Sequence, residues 1–197
     1  MPGQTPSQTV GPYFAIGLTP RLFGRRELIG NVLATADTPG EHIRLEGRVF
    51  DGAGDPVEDA MLEIWQADSQ GYFNHPADPN HTRADPNFSY FGRADTVNNG
   101  IYTFKTVKPG RVPFDDSRDQ APHVNVRLFS RGLLTHAYTR IYFGDESEAN
   151  QTDPVLNAVP EVRRHTLIAL PQQSGDLLTY CFNIVLQGDG VTVFFNP

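Results

Sequence analysis

Apolar and polar residues alternate with a period of two along much of the chain, which is typical of β-strands that bury one face. In the segment 42–50 the odd-numbered positions are apolar or glycine, and the even-numbered positions include two arginines and a glutamate. In the segment 123–129 the even-numbered positions are apolar, and the other face carries His123, Asn125, Arg127 and Phe129. Further strands are predicted at residues 60–66, 101–107, 135–143, 180–186 and 191–195.

Turn-forming residues separate these segments at short intervals. The chain contains 16 prolines and 18 glycines, and Asn98-Asn99-Gly100 predicts a tight turn because Asn and Gly accept positive φ. Helix is predicted only as one or two turns within 26–36 and another at 145–150. Residues 1–20, rich in Pro, Thr, Gln and Gly, are predicted to form an extended N-terminal arm. The pattern favours an all-β fold, a single-domain β-sandwich over residues 1–197 with little helix.

Charge and composition exclude several classes of protein. The net charge of −7 argues against a nucleic-acid partner, which requires a basic surface. No apolar run approaches the roughly 20 residues that cross a membrane, and no basic stretch followed by an apolar segment suggests a signal peptide. The single cysteine, Cys181, fits a reducing compartment. We therefore expect a cytoplasmic protein in which Cys181 is a buried, inert thiol within a strand.

The common catalytic motifs for nucleophilic, phosphate-binding and zinc-dependent chemistry do not occur in the chain. The pair Asp115-Asp116 lies in a polar loop and is interpreted as a solvated surface. His123 has the most suggestive context, because residues two apart on a strand face the same way, with Cα atoms about 6.6 Å apart. The partner position is Asn125, and a neutral amide is a weak ligand for a hard metal ion. By itself His123 is therefore interpreted as a hydrogen-bonded structural histidine.

Several segments, in their order and spacing, resemble the intradiol ring-cleaving dioxygenases. They cover most of the chain and comprise Thr5 to Tyr13, Leu62 to Asp68, Asp85 to Phe88, Phe91 to Arg93, Tyr102 to Gly110, Ala121 to Asn125, Tyr142-Phe143 and Val193 to Phe195. The resemblance implies a β-sandwich fold. It also implies a reaction in which an iron enzyme uses O2 to cleave a catechol between its two hydroxyl-bearing carbons.

The iron-bearing chains of that family hold Fe(III) with two tyrosines and two histidines. By the resemblance, the corresponding positions here are Asn80, Val112, His123 and Asn125, so only one of the four ligands is retained. Tyr72 or Tyr90 would be the substitute if the loop around Asn80 aligns differently, but Val112 and Asn125 lie in closely matching segments. The resemblance thus implies a metal-free alpha chain with no catalytic residues of its own, and Fe(III) bound by a beta partner chain.

The resemblance also assigns this chain a role in substrate binding. Arg131 would hold the carboxylate of a small aromatic acid with two parallel hydrogen bonds. From the residues alone, the alternative is a surface arginine in a β-turn, paired with a nearby carboxylate such as Asp145 or Glu146. Arg127, Arg140 and Arg111 are lesser candidates, and Arg127 is expected to occupy the former metal pocket. The arm would line the mouth of the pocket through Thr9, Gly11, Pro12 and Tyr13.

Two further hypotheses remain open at this point. One is a β-sandwich binding or carrier module without an enzyme partner. The other is an iron enzyme that uses unrecognised ligands. The dioxygenase interpretation predicts a higher alpha–beta oligomer, and the apolar segment Val193 to Phe195 is a candidate for the contact with the beta chain.

Overall fold

The strands form two packed layers that one strand joins. A computed structural model describes residues 16–133, 135–174 and 177–196. The strands are β1 (His42–Phe50), β2 (Met61–Gln66), β3 (Phe91–Asp95), β4 (Ile101–Val107), β5 (Val112–Pro113), β6 (Asp119–Gln120), β7 (His123–Phe129), β8 (Ala137–Phe143), β9 (Ile168–Ser174), β10 (Leu177–Cys181) and β11 (Ile184–Val185). The first sheet has the order β4-β1-β10-β9, and the second has the order β3-β2-β7-β8-β9. The predicted β-sandwich is therefore confirmed.

Strand β9 connects the two sheets because its two halves have different partners. Ile168 and Ala169 pair in parallel with β8, whereas the segment from Leu170 onward pairs antiparallel with β10. Apolar side chains from both sheets meet in one core, which includes Leu45 of β1, Ile64 of β2 and Val126 of β7. The two short strands β5 and β6 form a separate hairpin.

The strongest alternating segments fold as predicted. The strands β1, β4 and β7 have the bounds expected from the sequence, and every even-numbered residue of β7 is buried. At the predicted turn, Asn99 has φ of 52° and Gly100 has φ of 74°, so both adopt the left-handed conformation. The sequence did not indicate β3 or β9.

Two C-terminal strand predictions were wrong in detail. The segment 180–186 is interrupted after Cys181, and β11 resumes only at Ile184. The segment 191–195 contains no strand, and only Phe195 forms an isolated bridge, with Tyr138. In both places the alternation is present, but the neighbouring chain offers a continuous hydrogen-bonding edge for only part of the segment.

One of the two helical predictions was wrong, and the other lies where the structure has a short helix. The segment 26–36 is not helical, because Gly30, Asn31 and Leu33 use their backbone groups to bond strands β3 and β4. Near the second prediction lie three short helices, α1 (Ser147–Thr152), α2 (Pro154–Ala158) and α3 (Glu161–Arg164). Pro154 starts α2 because a proline suits the first helical position. Among the described residues, no helix is long and apolar enough to span a membrane.

Candidate functional site

The odd-numbered face of β7 forms the centre of the candidate site. It lies on the outer side of the second sheet, as the alternation predicted, because the even-numbered side chains of the strand fill the core. Asn125 lies directly between Trp65 of β2 and Arg140 of β8 in the strand register. The side chains of three adjacent strands therefore meet around Asn125.

His123 is buried at the start of this face. Its side chain is only 4% exposed, and its Nδ1 lies 2.8 Å from the carbonyl oxygen of Ala121, to which it donates. The pKa of His123 is lowered to about 4, mainly by burial and secondly by the positive charge of Arg140. The ring is therefore neutral at neutral pH, and one of its nitrogens is committed to the backbone, as expected for a structural histidine.

Local hydrogen bonds hold the backbone beside His123 in place. The backbone N–H of Ala121 donates to Oδ2 of Asp153 at 2.7 Å. The other oxygen of this buried carboxylate accepts from the backbone N–H of Leu156, and so caps α2, and from the hydroxyl of Tyr142. Asp153 thus fastens the short helices to the first residues of β7.

Asn125 is oriented by a tyrosine on the neighbouring strand. The hydroxyl of Tyr138 donates to Oδ1 of Asn125 at 2.5 Å. The amide nitrogen of Asn125 has no hydrogen bond with the part of the chain that the structure describes, so it remains free to donate. Arg140, on the same outer face, donates from Nη1 to Oε1 of Gln120 at 2.7 Å.

Asn80 and Val112 come together beside Trp65, although 31 residues separate them in the sequence. Both line a pocket of about 350 Å³, which we call the loop pocket; its walls include Trp65, Phe73, Asp78, Asn80, Val112 and Pro113. Trp65 separates this pocket from Asn125 on the outer face of the sheet. Three of the four positions assigned from the family resemblance, Asn80, Val112 and Asn125, thus lie beside one tryptophan, whereas the ring of His123 contacts Tyr142.

The side chains at these four positions do not fit Fe(III). Asn80 and Asn125 offer neutral amides, and Val112 offers no donor. His123 already donates to the backbone and lies close enough to the Arg140 cation for its charge to lower the histidine pKa. A hard trivalent ion requires anionic oxygen ligands, and a neighbouring guanidinium repels it.

Each of the two substitute tyrosines is in contact with another residue of the chain. The hydroxyl of Tyr90 donates to the carbonyl oxygen of Asp85 at 2.8 Å. The pKa of Tyr90 is raised, mainly by burial and secondly by the negative charge of Asp68. Its proton is therefore held firmly. Tyr72 lies against the guanidinium of Arg83, whose Cζ is 4.4 Å from the ring centroid. Among the described residues, no three His, Cys, Asp or Glu side chains are grouped as a metal site.

Arg131 lies at the opposite end of β7 from His123. Strand β7 spans roughly 20 Å from His123 to Phe129, and Arg131 lies in the turn that follows the strand. The side chain of Arg131 is 84% exposed, and its Nε lies 3.0 Å from Oδ2 of Asp59. An exposed pair of this kind contributes little to stability, so the guanidinium remains available to another anion.

The alternative of a surface arginine in a turn, paired with a nearby carboxylate, matches the contact with Asp59, but Asp145 and Glu146 were the wrong partners. Asp145 and Glu146 both pair with Lys108, each at 2.8 Å from its Nζ. Asp145 also accepts a hydrogen bond from Tyr180 at 2.7 Å. The sequence could not distinguish these carboxylates from Asp59, because the choice depends on which loops lie together.

The predicted arm residues Thr9, Gly11, Pro12 and Tyr13 lie outside the described residues. The segment that follows them exposes an unusual number of large apolar side chains, namely Ile16, Leu22, Phe23, Leu28 and Val32. We call these five residues the N-terminal apolar surface. By contrast, Val193, Phe194 and Phe195 are partly buried against the chain's own core, and their contact with a beta chain stays a prediction.

The remaining sequence candidates lie apart from the site. Cys181 is partly buried in β10. The pKa of its thiol is raised, mainly by burial and secondly by the negative charge of Glu46. This agrees with an inert thiol rather than a nucleophile. Asp115 is exposed and pairs with Arg118, as expected for a solvated loop. Arg111 is exposed beside the β5–β6 hairpin.

Sequence reasoning missed a second pocket of about 350 Å³ on the outer face, between β2 and β7. We call it the β2–β7 pocket; the residues that line it include Glu63, Trp65, Phe91, Asn125, Arg127 and Tyr138. Arg93 of β3 donates to Oε1 of Glu63 from Nε at 3.1 Å and from Nη2 at 2.5 Å. The alternation in β2 was visible in the sequence, but only the strand order brings its outer face beside β7.

The comparisons with known proteins point to one family. The family described as dioxygenase matches residues 25–188. The chain is 48% identical to the protocatechuate 3,4-dioxygenase alpha chain of Burkholderia cepacia, over 98% of this chain and 97% of the relative. It is 45% identical to the alpha chain of Pseudomonas putida, over 98% and 96%. It is 34% identical to the beta chain of Burkholderia cepacia, over 84% and 73%.

Solved structures support the same fold. The dioxygenase domain of a carbohydrate-binding fusion protein from Streptomyces sp. SirexAA-E matches with a TM-score of 0.59 and 23% identity, covering 94% of this chain and 99% of that one. The 3-chlorocatechol 1,2-dioxygenase of Rhodococcus opacus matches with a TM-score of 0.62 and 20% identity, covering 78% and 63%. At these identities the likeness shows the fold alone.

Proposed function

Because the chain belongs to the intradiol dioxygenase family, we propose that it is the metal-free alpha subunit of a protocatechuate 3,4-dioxygenase. The observation that carries the proposal is the near full-length match to two alpha chains, at higher identity than the match to a beta chain. In the proposed complex, alpha and beta chains together cleave protocatechuate with O2 to 3-carboxy-cis,cis-muconate. The alpha–beta units assemble into a higher oligomer.

In this proposal the Fe(III) belongs to the beta chain. The side chains at the four positions support this division, because two amides, a valine and a neutral histidine bound to the backbone are poor ligands for a ferric ion. The intradiol dioxygenases depend on Fe(III), so the iron-binding residues have to come from the partner. This chain contributes binding and the exclusion of water rather than metal chemistry.

The proposed substrate contact is Arg131. Protocatechuate carries a carboxylate on the ring, remote from its two hydroxyls, and a guanidinium can bind that carboxylate through two parallel hydrogen bonds. The exposure of Arg131 and its weak pairing with Asp59 support this role, since the side chain can exchange one carboxylate for another at little cost. Thr9, Gly11, Pro12 and Tyr13 of the arm are proposed to line the same pocket.

The N-terminal apolar surface supports the presence of a partner chain. Five large apolar side chains are exposed between residues 16 and 32, and Leu28 is 93% exposed. Large exposed apolar patches are typical of protein–protein contact surfaces, and we propose that these side chains form part of one. The surface adjoins the proposed arm in the sequence, so one segment can hold the partner and line the pocket together.

The test is to express this chain alone and together with a beta chain. Iron content and protocatechuate-dependent oxygen uptake are then measured on both preparations. We expect iron and turnover only in the co-expressed complex, with the two chains in equal amounts. Iron binding and turnover by this chain alone would overturn the assignment of Fe(III) to the partner. A stable chain that never binds a beta chain would favour the carrier interpretation.

A further inference from the structure

The β2–β7 pocket contains a cation that has no partner. Arg127 lines the pocket from β7, and its side chain has no hydrogen bond or ion pair with any residue that the structure describes. The nearest carboxylate in the strand register is Glu63, directly opposite Arg127 on β2. Glu63 is already bound to Arg93 on its other side. The two arginines and the one glutamate together therefore keep one positive charge. This local charge favours the binding of an anion, although the net charge of the whole chain is −7.

A second donor faces the same space. Because Tyr138 donates its hydroxyl to Oδ1 of Asn125, the amide of Asn125 is turned so that its nitrogen is left to donate. A guanidinium and an amide N–H together match the two oxygens of a carboxylate. Both donors lie on the same face of β7, two residues apart. Residues with this spacing on a strand are about 6.6 Å apart, close enough for one small ligand to contact both.

The other walls are aromatic. Trp65, Phe91 and Tyr138 line the pocket, and the indole of Trp65 stacks against Phe73 with ring centroids 5.7 Å apart. This stacking fixes one wall before any ligand arrives. The volume of about 350 Å³ lies at the lower end of the range for small-molecule sites. Such a space suits one aromatic ring with a short polar substituent.

We propose that the β2–β7 pocket binds a small aromatic carboxylate. The carboxylate contacts the guanidinium of Arg127 and the amide nitrogen of Asn125, and the ring lies against Trp65 and Phe91. The site uses only residues of this chain and requires no metal. It also does not depend on the proposed function, because its binding can be measured without turnover. Non-aromatic anions fit less well, since they would leave the aromatic walls in contact with water.

The test uses benzoate and the full-length chain. Trp65 is the only tryptophan of the chain and lines both this pocket and the loop pocket, so the Arg127 variants, which change only this pocket, decide which of the two a fluorescence change reports. We expect saturable quenching by benzoate, with a Kd about 10- to 100-fold higher for Arg127→Gln. Benzamide and acetate should bind more weakly than benzoate, because the first lacks the charge and the second lacks the ring. Arg127→Lys retains the charge and should fall between the wild type and Arg127→Gln.

The matched control is Arg48→Gln. Arg48 also lies on the outward side of a strand, but on β1 of the opposite sheet, and the substitution changes the charge equally. We expect its Kd for benzoate to equal that of the wild type. Equal quenching of the wild type and Arg127→Gln, equal affinity for acetate, or the lack of a saturable response in folded protein would each overturn the proposal.

A second measurement locates the ligand directly. Crystals of the chain, or of its complex with the beta chain, are soaked with 4-bromobenzoate, and the bromine is located by its anomalous signal. We expect a bromine peak between Trp65 and Phe91 in the wild type and none there in Arg127→Gln. A peak at the same place in both proteins would show that Arg127 is not what holds the carboxylate.

Discussion

At the scale of single residues, burial decides the chemistry of His123. Its ring is enclosed, donates to a backbone carbonyl and lies near the cation of Arg140, so the neutral form is favoured. In the unfolded chain the same histidine titrates near its ordinary pKa of about 6.5. The unfolded state therefore binds a proton at a pH at which the folded state does not.

The stability of the fold should consequently decrease as the pH falls from about 6.5 to about 4. The contribution of His123 is fully present above pH 6.5, and its loss is on the order of 3 kcal/mol at the acidic end. Urea unfolding between pH 7.5 and pH 4.5 measures the effect. In His123→Gln the pH dependence should be smaller than in the wild type.

The exposed His165 provides the control for this prediction. His165→Gln should retain the pH dependence of the wild type, because its ring is exposed and lacks the burial that acts on His123. If His123→Gln and His165→Gln show the same slope as the wild type, then the titration of His123 does not control the acid stability.

Arg131 represents the opposite case, an exposed residue whose proposed role depends on a ligand. Replacing it with alanine removes a charged contact of ~1.5–3 kcal/mol with the substrate carboxylate. In the assembled complex, Arg131→Ala should raise the KM for protocatechuate by roughly 10- to 150-fold. Steady-state oxygen uptake measures this change.

Arg118→Ala is the matched control, because Arg118 is also an exposed arginine paired with a nearby aspartate. Its KM should remain that of the wild type. An unchanged KM in Arg131→Ala would remove the proposed substrate contact while leaving the subunit assignment intact.

At the scale of elements, β1 organises the first sheet. It pairs antiparallel with β4 on one side and in parallel with β10 and β11 on the other. Between the last two strands the chain passes closely over β1 at Gly47, where the hydroxyl of Tyr102 donates to the carbonyl oxygen of Phe182 at 2.6 Å. Only a residue without a side chain leaves room for this crossing.

Gly47→Ala should therefore destabilise the fold severely. Its methyl group would overlap the backbone carbonyl of Phe182, which cannot move without breaking the bond to Tyr102. The expected loss is about 3 kcal/mol or more in the free energy of unfolding. Denaturant unfolding measures it. Gly17→Ala, where nothing lies within 4 Å of the added methyl group, should cost clearly less. Equal losses in the two variants would contradict this account of Gly47.

The elements also show which local patterns can be read from the sequence. The strands β1, β4 and β7 were predictable because their alternation extends over seven or more residues. The segment 26–36 was not, because its backbone bonds to β3 and β4 replace the hydrogen bonds that a helix would make within itself. Such competition between local and distant partners is not encoded in the periodicity.

At the scale of the whole molecule, the distribution of exposed apolar groups sets the expected assembly. The N-terminal apolar surface concentrates five of them within residues 16–32. If this surface binds the beta chain, Leu28→Ser with Val32→Ser should reduce the amount of beta chain that co-purifies several-fold. The fold itself should be unaffected, because both side chains are exposed.

Val162→Ser is the control for this prediction, since Val162 is 78% exposed but lies in α3. It should leave co-purification unchanged. Thermal unfolding of each variant shows whether the chain is still folded. Normal recovery of the beta chain with the double variant would place the partner contact elsewhere.

The sequence by itself determined the all-β class, the inward and outward faces of the main strands, and the side chains (two amides, a valine and a histidine) at the four positions that the family resemblance assigns. These properties are local, because a period of two assigns faces within one strand and a side chain's identity sets its donor chemistry. The tertiary structure alone decided the strand order, the pairing of Arg131 with Asp59, and the meeting of Trp65, Asn125 and Arg127 in one pocket. Those depend on contacts between residues far apart in the chain, which periodicity does not specify.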